Sequence, residues 1–149
     1  MRSVFIFISV IVAIIWMTSG CENTDCITFS RNFVIVDFLD STGIRKDTTF
    51  NYITAVGSKV IFYSDTTLYR YALPINTDES ETTFLFHGIN DVTDTLQVGY
   101  TRRQRLISED CGFELQFRQL EIIHSSFPEA VSLKNDLNIL NETDIRIYH

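Results

Sequence analysis

The sequence predicts an all-β fold: a single antiparallel β-sandwich, Ig-like or transthyretin-like in general shape, behind a cleaved signal peptide. Three observations lead there. Short runs rich in Val, Ile, Phe, Tyr and Thr recur from Ile27 to the end of the chain. Turn-forming residues separate those runs at intervals of about 8–12 residues, the spacing of a sandwich. Removing residues 1–20 from the 149 leaves 129, the size of one domain able to bury its own core.

The leader comes first. Arg2 supplies a positive charge, residues 4–17 are a charge-free apolar stretch of 14, and Thr18-Ser19-Gly20 closes it with small residues before Cys21. That order of basic start, short apolar middle and small-residue end is that of an export signal. The stretch is short of the roughly 20 residues a membrane-spanning helix needs. A thiol behind Ser19 and Gly20 is accessible to a lipid-transfer enzyme, so residues 1–20 read as a lipoprotein signal peptide and Cys21 as the lipidated first residue of the mature chain. Residues 21–26 are then the lipidated terminus and a short tether. An uncleaved N-terminal helix and an ordinary secretory signal are the alternatives, and Thr18 stands where such signals usually carry an aliphatic residue. Two or more acyl chains give stable anchoring where one gives marginal binding. Glu22 is not the Asp that retains lipoproteins in the inner membrane of enteric bacteria, which points to the outer membrane.

The body, residues 27–149, is taken in order. Residues 31–39 alternate Phe33, Ile35 and Asp37 with Val34, Val36 and Phe38, a strand apolar on both faces and therefore central. Asp40-Ser41-Thr42-Gly43 is turn chemistry. Residues 50–56 and 59–63 form strands around Gly57-Ser58, and residues 67–73 another, stopped by Pro74. Residues 82–87 follow a polar acidic loop. Residues 94–103 and 113–123 are the longest strand candidates, the second placing Phe113, Leu115, Phe117 and Gln119 on one face. Ser126-Phe127-Pro128-Glu129 matches a capping box and predicts one helical turn. Residues 137–140 and 144–148 read as a closing hairpin around Asn141-Glu142-Thr143.

Composition excludes some functions. The whole chain carries a formal charge of −7, and losing Arg2 leaves the mature chain near −8, against nucleic-acid binding through a basic face. With Cys21 lipidated, Cys26 and Cys111 remain, an even pair in an oxidising compartment, which predicts a disulfide; two separate buried thiols are the alternative. No Gly-x-Ser-x-Gly elbow or Gly-rich phosphate loop occurs. His87, His124 and His149 lack a His or Cys three or four residues away, so neither a metal nor any other cofactor is expected. The acidic groups Asp78, Glu79 and Glu81, and Asp91 and Asp94, match no EF-hand pattern and read as solvated turns.

Two surface clusters are candidate contacts. Arg102, Arg103 and Arg105 could meet an anion, a lipid head group or an acidic partner; charged side chains also protect strand edges from pairing. Alternation puts Arg103 and Arg105 on one face and Arg102 on the other. Tyr69 and Tyr71 fall on a common face and could stack on a glycan or peptide, while sandwich cores are also built from alternating aromatics.

Ala72-Leu73-Pro74-Ile75-Asn76 with Thr82-Thr83-Phe84, Asp94-Thr95-Leu96-Gln97-Val98-Gly99-Tyr100-Thr101 and Ile107-Ser108-Glu109-Asp110-Cys111-Gly112-Phe113 resemble an uncharacterised family of small Bacteroidota lipoproteins. Cys21-Glu22, Asp25-Cys26 and the ending through Ile145-Arg146-Ile147-Tyr148 fit the same layout. The resemblance implies a lipid-anchored β domain with Cys26 and Cys111 as recurrent cysteines. It brings no activity, and its association with outer-membrane barrel proteins points to a β-barrel as partner. The expectation is a non-enzymatic envelope lipoprotein, held to the outer membrane through Cys21 and acting as an accessory or interaction subunit. A glycan- or peptide-binding module using Tyr69 and Tyr71 is the alternative.

Overall fold

A computed structural model describes residues 26–28, 30–133, 136–137 and 142–149. The leader, Cys21 and most of the tether lie outside the described residues, as do residues 138–141 of the expected closing hairpin. The described residues are all-β, without a helix. Ten strands run in order: β1 Phe33–Leu39, β2 Thr48–Ala55, β3 Tyr63–Leu68, β4 Arg70–Pro74, β5 Glu81–Gly88, β6 Thr93–Ser108, β7 Gly112–Ser125, β8 Glu129–Ser132, β9 Asp136–Leu137 and β10 Ile145–Tyr148. They form a four-stranded sheet, β4-β1-β10-β8, packed on a six-stranded sheet, β3-β2-β5-β6-β7-β9.

β1 is central, as its two-sided apolar run requires. Val34, Val36 and Phe38 are fully buried and face the core, and Ile35 and Asp37 on the other face are also nearly inaccessible. Facing β1 are Phe50 and Ile53 of β2, Phe84 and Phe86 of β5, and Leu96 and Val98 of β6, all buried. Phe38 packs edge-on to Phe86 and Phe127, with ring centroids 6.0 and 5.7 Å away.

Five local expectations are corrected. Residues 67–73 do not form one strand: the chain leaves the six-stranded sheet after Leu68 and enters the four-stranded sheet at Arg70, so Tyr69 is the crossover. Residues 59–62 are loop, and β3 starts only at Tyr63.

The capping box does not start a helix. Ser126 Oγ accepts from the Thr95 amide (2.8 Å) and donates to Asp94 (2.8 Å), which seats Phe127 in the core and sends the chain on as β8. A side chain committed to a neighbouring strand is no longer available to cap a helix.

The last strand does not close a hairpin. β10 runs parallel to β1, with Val36 opposite Ile145 and Phe38 opposite Ile147, and pairs on its other edge with β8. Alternation of Ile145 and Ile147 with Arg146 and Tyr148 marks a strand but carries no information about its partner.

A bulge also breaks the alternation expected for β7. Gln119 takes φ 54°, and the β6–β7 register shifts between Gly99 and Thr101. Phe117 and Leu120, three residues apart, are therefore both buried, and Gln119 is exposed. An extra residue in one strand of a pair flips the facing of everything beyond it.

Candidate functional site

β6 and β7 outrun their neighbours. β5 ends its pairing with β6 at Glu81 opposite Gly99, whereas β6 continues to Ser108 and turns back through Gly112. Residues 101–106 of β6 are exposed, while Glu114 and Phe117 opposite them on β7 are buried, so the two strands form an arm that runs on past β5 with its β6 edge open. From Thr101 to Ser108 the arm is about 23 Å long at roughly 3.3 Å per residue.

The turn at the arm's tip is built by Ser108, whose Oγ accepts the Cys111 amide at 3.0 Å, and by Gly112 at φ 72°, a conformation that disfavours other side chains. Cys111 in that turn is disulfide-bonded to Cys26, with Cα atoms 5.5 Å apart. The bridge ties the start of the domain to the far end of its longest hairpin.

The arm's two faces differ. Cross-strand partners Leu106 and Phe113 share one face with Gln104 and Leu115, and Arg105 and Glu114 share the other with Arg103 and Gln116. Arg102 is on the first face and donates to the carbonyls of Thr77 (3.1 Å) and Asp78 (2.6 Å). Arg105 contacts the buried Glu114 at 3.4 Å, and Gln116 donates to the same carboxylate at 2.7 Å. The three arginines thus divide between the faces as alternation predicts. Arg102 is occupied with the loop before β5, Arg105 with Glu114, and Arg103 is exposed opposite Gln116.

At the arm's base, Tyr100 donates to the Asn76 carbonyl (2.6 Å) and lies 2.6 Å from Thr82 Oγ1, which in turn accepts the Asn76 amide (2.8 Å). Burial pushes the Tyr100 phenol above its ordinary value, against the opposing pull of Thr82 and the charge of Arg102. Two open clefts flank this clamp. One, of about 500 Å³, is lined by Ala55, Phe62, Ile75, Glu79 and Glu81 among others. The other, of about 530 Å³, lies between Ser80, Tyr100, Arg102, Gln104 and Leu115. The first lining also carries the hydroxyls of Ser58 and Thr83, and neither lining holds a His, Cys or Lys. Among the described residues no three His, Cys, Asp or Glu side chains converge as a metal site would need.

Tyr69 and Tyr71 do not present a joint exposed face. Tyr71 is fully buried, and its hydroxyl donates to the carbonyls of Thr48 (2.6 Å) and Thr66 (3.0 Å). Tyr69, at the crossover, is half-buried beneath the guanidinium of Arg45, 4.8 Å from the ring centroid. The change of sheet between Leu68 and Arg70 breaks the alternation that would have aligned the rings.

Sequence reasoning missed one buried and one half-buried ion pair. Arg31 binds both oxygens of Asp144 (2.5 and 2.6 Å), and Asp144 also accepts the Ile35 amide (2.7 Å), fastening the entry to β1 against the entry to β10. Asp37 accepts two bonds from Arg70 (2.7 and 2.8 Å) and one from Thr143 (2.7 Å). The available signal was Asp37 itself, a carboxylate inside an otherwise apolar central strand, which requires a cationic partner.

A family model covers residues 51–149, more than half of the chain. The chain belongs to the family of unknown function DUF6452. The DUF6452 match begins within β2, so it takes in the arm and Cys111 and leaves out β1 and Cys26. No curated protein and no solved structure matches the chain.

Proposed function

We propose that this protein is a lipid-anchored cell-envelope lipoprotein of the Bacteroidota, held at the outer membrane through Cys21, whose Ig-like or transthyretin-like sandwich serves as a non-enzymatic accessory or interaction subunit. Its partner in this reading is an outer-membrane β-barrel protein. The observation that carries the reading is the leader: Arg2, an apolar stretch too short to span a bilayer, and Ser19-Gly20 before a cysteine. The Cys26–Cys111 disulfide supports an oxidising compartment.

Metabolic palmitate labelling tests the anchor. The wild-type chain takes up label and partitions with outer membranes, and Cys21→Ser abolishes both. An unlabelled wild-type chain that retains residues 1–20 ends the proposal. Crosslinking in cells followed by mass spectrometry tests the partner, with a barrel protein the expected adduct; recovery of the uncrosslinked chain alone counts against an interaction subunit.

A further inference from the structure

We propose that the tip of the β6–β7 arm is the surface on which this chain rests against the lipid bilayer, through Phe113, Leu106 and Ile27. The inference rests on the lipid-anchor reading of Cys21. Four residues separate Cys21 from Cys26, so their Cα atoms are at most about 18 Å apart at roughly 3.6 Å per residue. The disulfide then holds Cys26 5.5 Å from Cys111, in the turn at the tip. A membrane that holds Cys21 therefore has the tip of the arm within about 24 Å of the anchored residue.

The tip carries side chains suited to that position. Phe113 is 69% exposed and Leu106, its cross-strand partner, 50% exposed. Ile27, next to the disulfide, is 54% exposed. These are large apolar groups standing in water at the end of the hairpin, and burying them at the headgroup boundary removes that surface from water.

Charge does not drive the contact. Arg103 and Arg105 stand against Glu109, Asp110 and Glu114, so the tip has no positive excess to hold anionic head groups. The docking is thus apolar and insensitive to salt.

The consequence is an orientation. The clefts, at the base of the arm, stand off the bilayer by up to the arm's length. The loop carrying Ile89, at the opposite end of β6, lies about 50 Å from the tip at roughly 3.3 Å per residue.

The mature chain supplies its own blank for the test, since its one Trp, Trp16, lies in the leader. Phe113→Trp and Ile89→Trp each place a single indole at an exposed position, and Ile89 is 64% exposed. The full lipidated protein is reconstituted into phosphatidylethanolamine–phosphatidylglycerol vesicles with brominated acyl chains, and bound protein is isolated by flotation. The Phe113→Trp protein is expected to emit further to the blue and to be quenched several-fold more than the Ile89→Trp protein, equally at low and high salt. Replacing Cys26 and Cys111 by Ser in the Phe113→Trp background is expected to bring its quenching down towards the Ile89→Trp level. Floated protein with equal quenching at both positions overturns the tip contact and leaves the anchor standing. Quenching lost at high salt overturns its apolar basis. Protein that fails to float overturns the anchor and the tip contact together.

Discussion

Asp144 is fully buried, and its carboxylate meets the Arg31 guanidinium and the Ile35 amide. Removing one member of such a buried pair costs about 3–5 kcal/mol, because the other keeps its burial and loses this contact. Asp144→Ala should lower the unfolding free energy from urea titration by that much, and adding Arg31→Met to it should recover part of the loss, because two apolar side chains leave no half of the pair buried without the other. Asp37 behaves differently with pH. Burial raises its carboxyl, but hydrogen bonds from Arg70 and Thr143 and the charges of Arg70 and Arg45 outweigh that, leaving it below its ordinary 3.8. A group lowered in the folded state contributes stability fully above its unfolded value and loses it as pH falls through the folded one. Acid unfolding of wild type and Asp37→Asn should therefore differ most above pH 3.8 and converge below it. A constant gap at all pH values would remove the role given to the Arg70–Asp37 pair.

Among the elements, Phe127 and Phe113 separate packing from display. Phe127 sits between Phe38 and Phe86 with 5% of its surface exposed, so Phe127→Ala should cost about 3–5 kcal/mol in equilibrium denaturation. Phe113 stands in solvent, and Phe113→Ala should change stability by no more than about 0.5 kcal/mol. The sequence marks both as apolar and distinguishes neither. Strand periodicity located β1, β5 and the long β6 and β7, because a residue's facing is a local property of the pleat. It failed at Tyr69 and Gln119, where the chain changes sheet or inserts an extra residue, since alternation counted across such a point has the wrong phase. It failed at Ser126 because the same Ser-x-x-Glu string serves a helix cap or a strand corner, and contact with Asp94 and Thr95 decides which. Of the candidate contacts, the split of Arg102 from Arg103 and Arg105 followed from alternation within one unbroken stretch. The grouping of Tyr69 with Tyr71 did not survive the crossover between them.

For the molecule as a whole, the Cys26–Cys111 bridge is the longest covalent constraint on the described domain, with a sequence separation of 85. Closing such a loop is worth at most about 4–5 kcal/mol in the chain-entropy account. Replacing both cysteines by Ser should lower the unfolding free energy by up to that amount while the sandwich still forms, because the core of β1, β2, β5, β6 and β10 does not depend on the tip. Circular dichroism of the double variant should keep its β signature, and a collapse to an unfolded spectrum would make the bridge a condition of folding. Parallel insertion of β10 beside β1 has a related effect, since it couples the last strand to the first across nearly the whole domain. Contacts of such sequence separation slow folding, so refolding is expected in milliseconds to seconds.

The sequence by itself determined that this chain is built from strands, that residues 33–39 run through its middle, and that Cys26 and Cys111 were available to pair. Those are properties of side-chain size, polarity and spacing, which act over a few residues. Only the tertiary structure decided that β10 joins β1 in parallel, that Arg31 meets Asp144, and that the disulfide sits at the end of a projecting arm. Each joins segments far apart along the chain, and the pairing of distant surfaces is fixed by how the whole core packs.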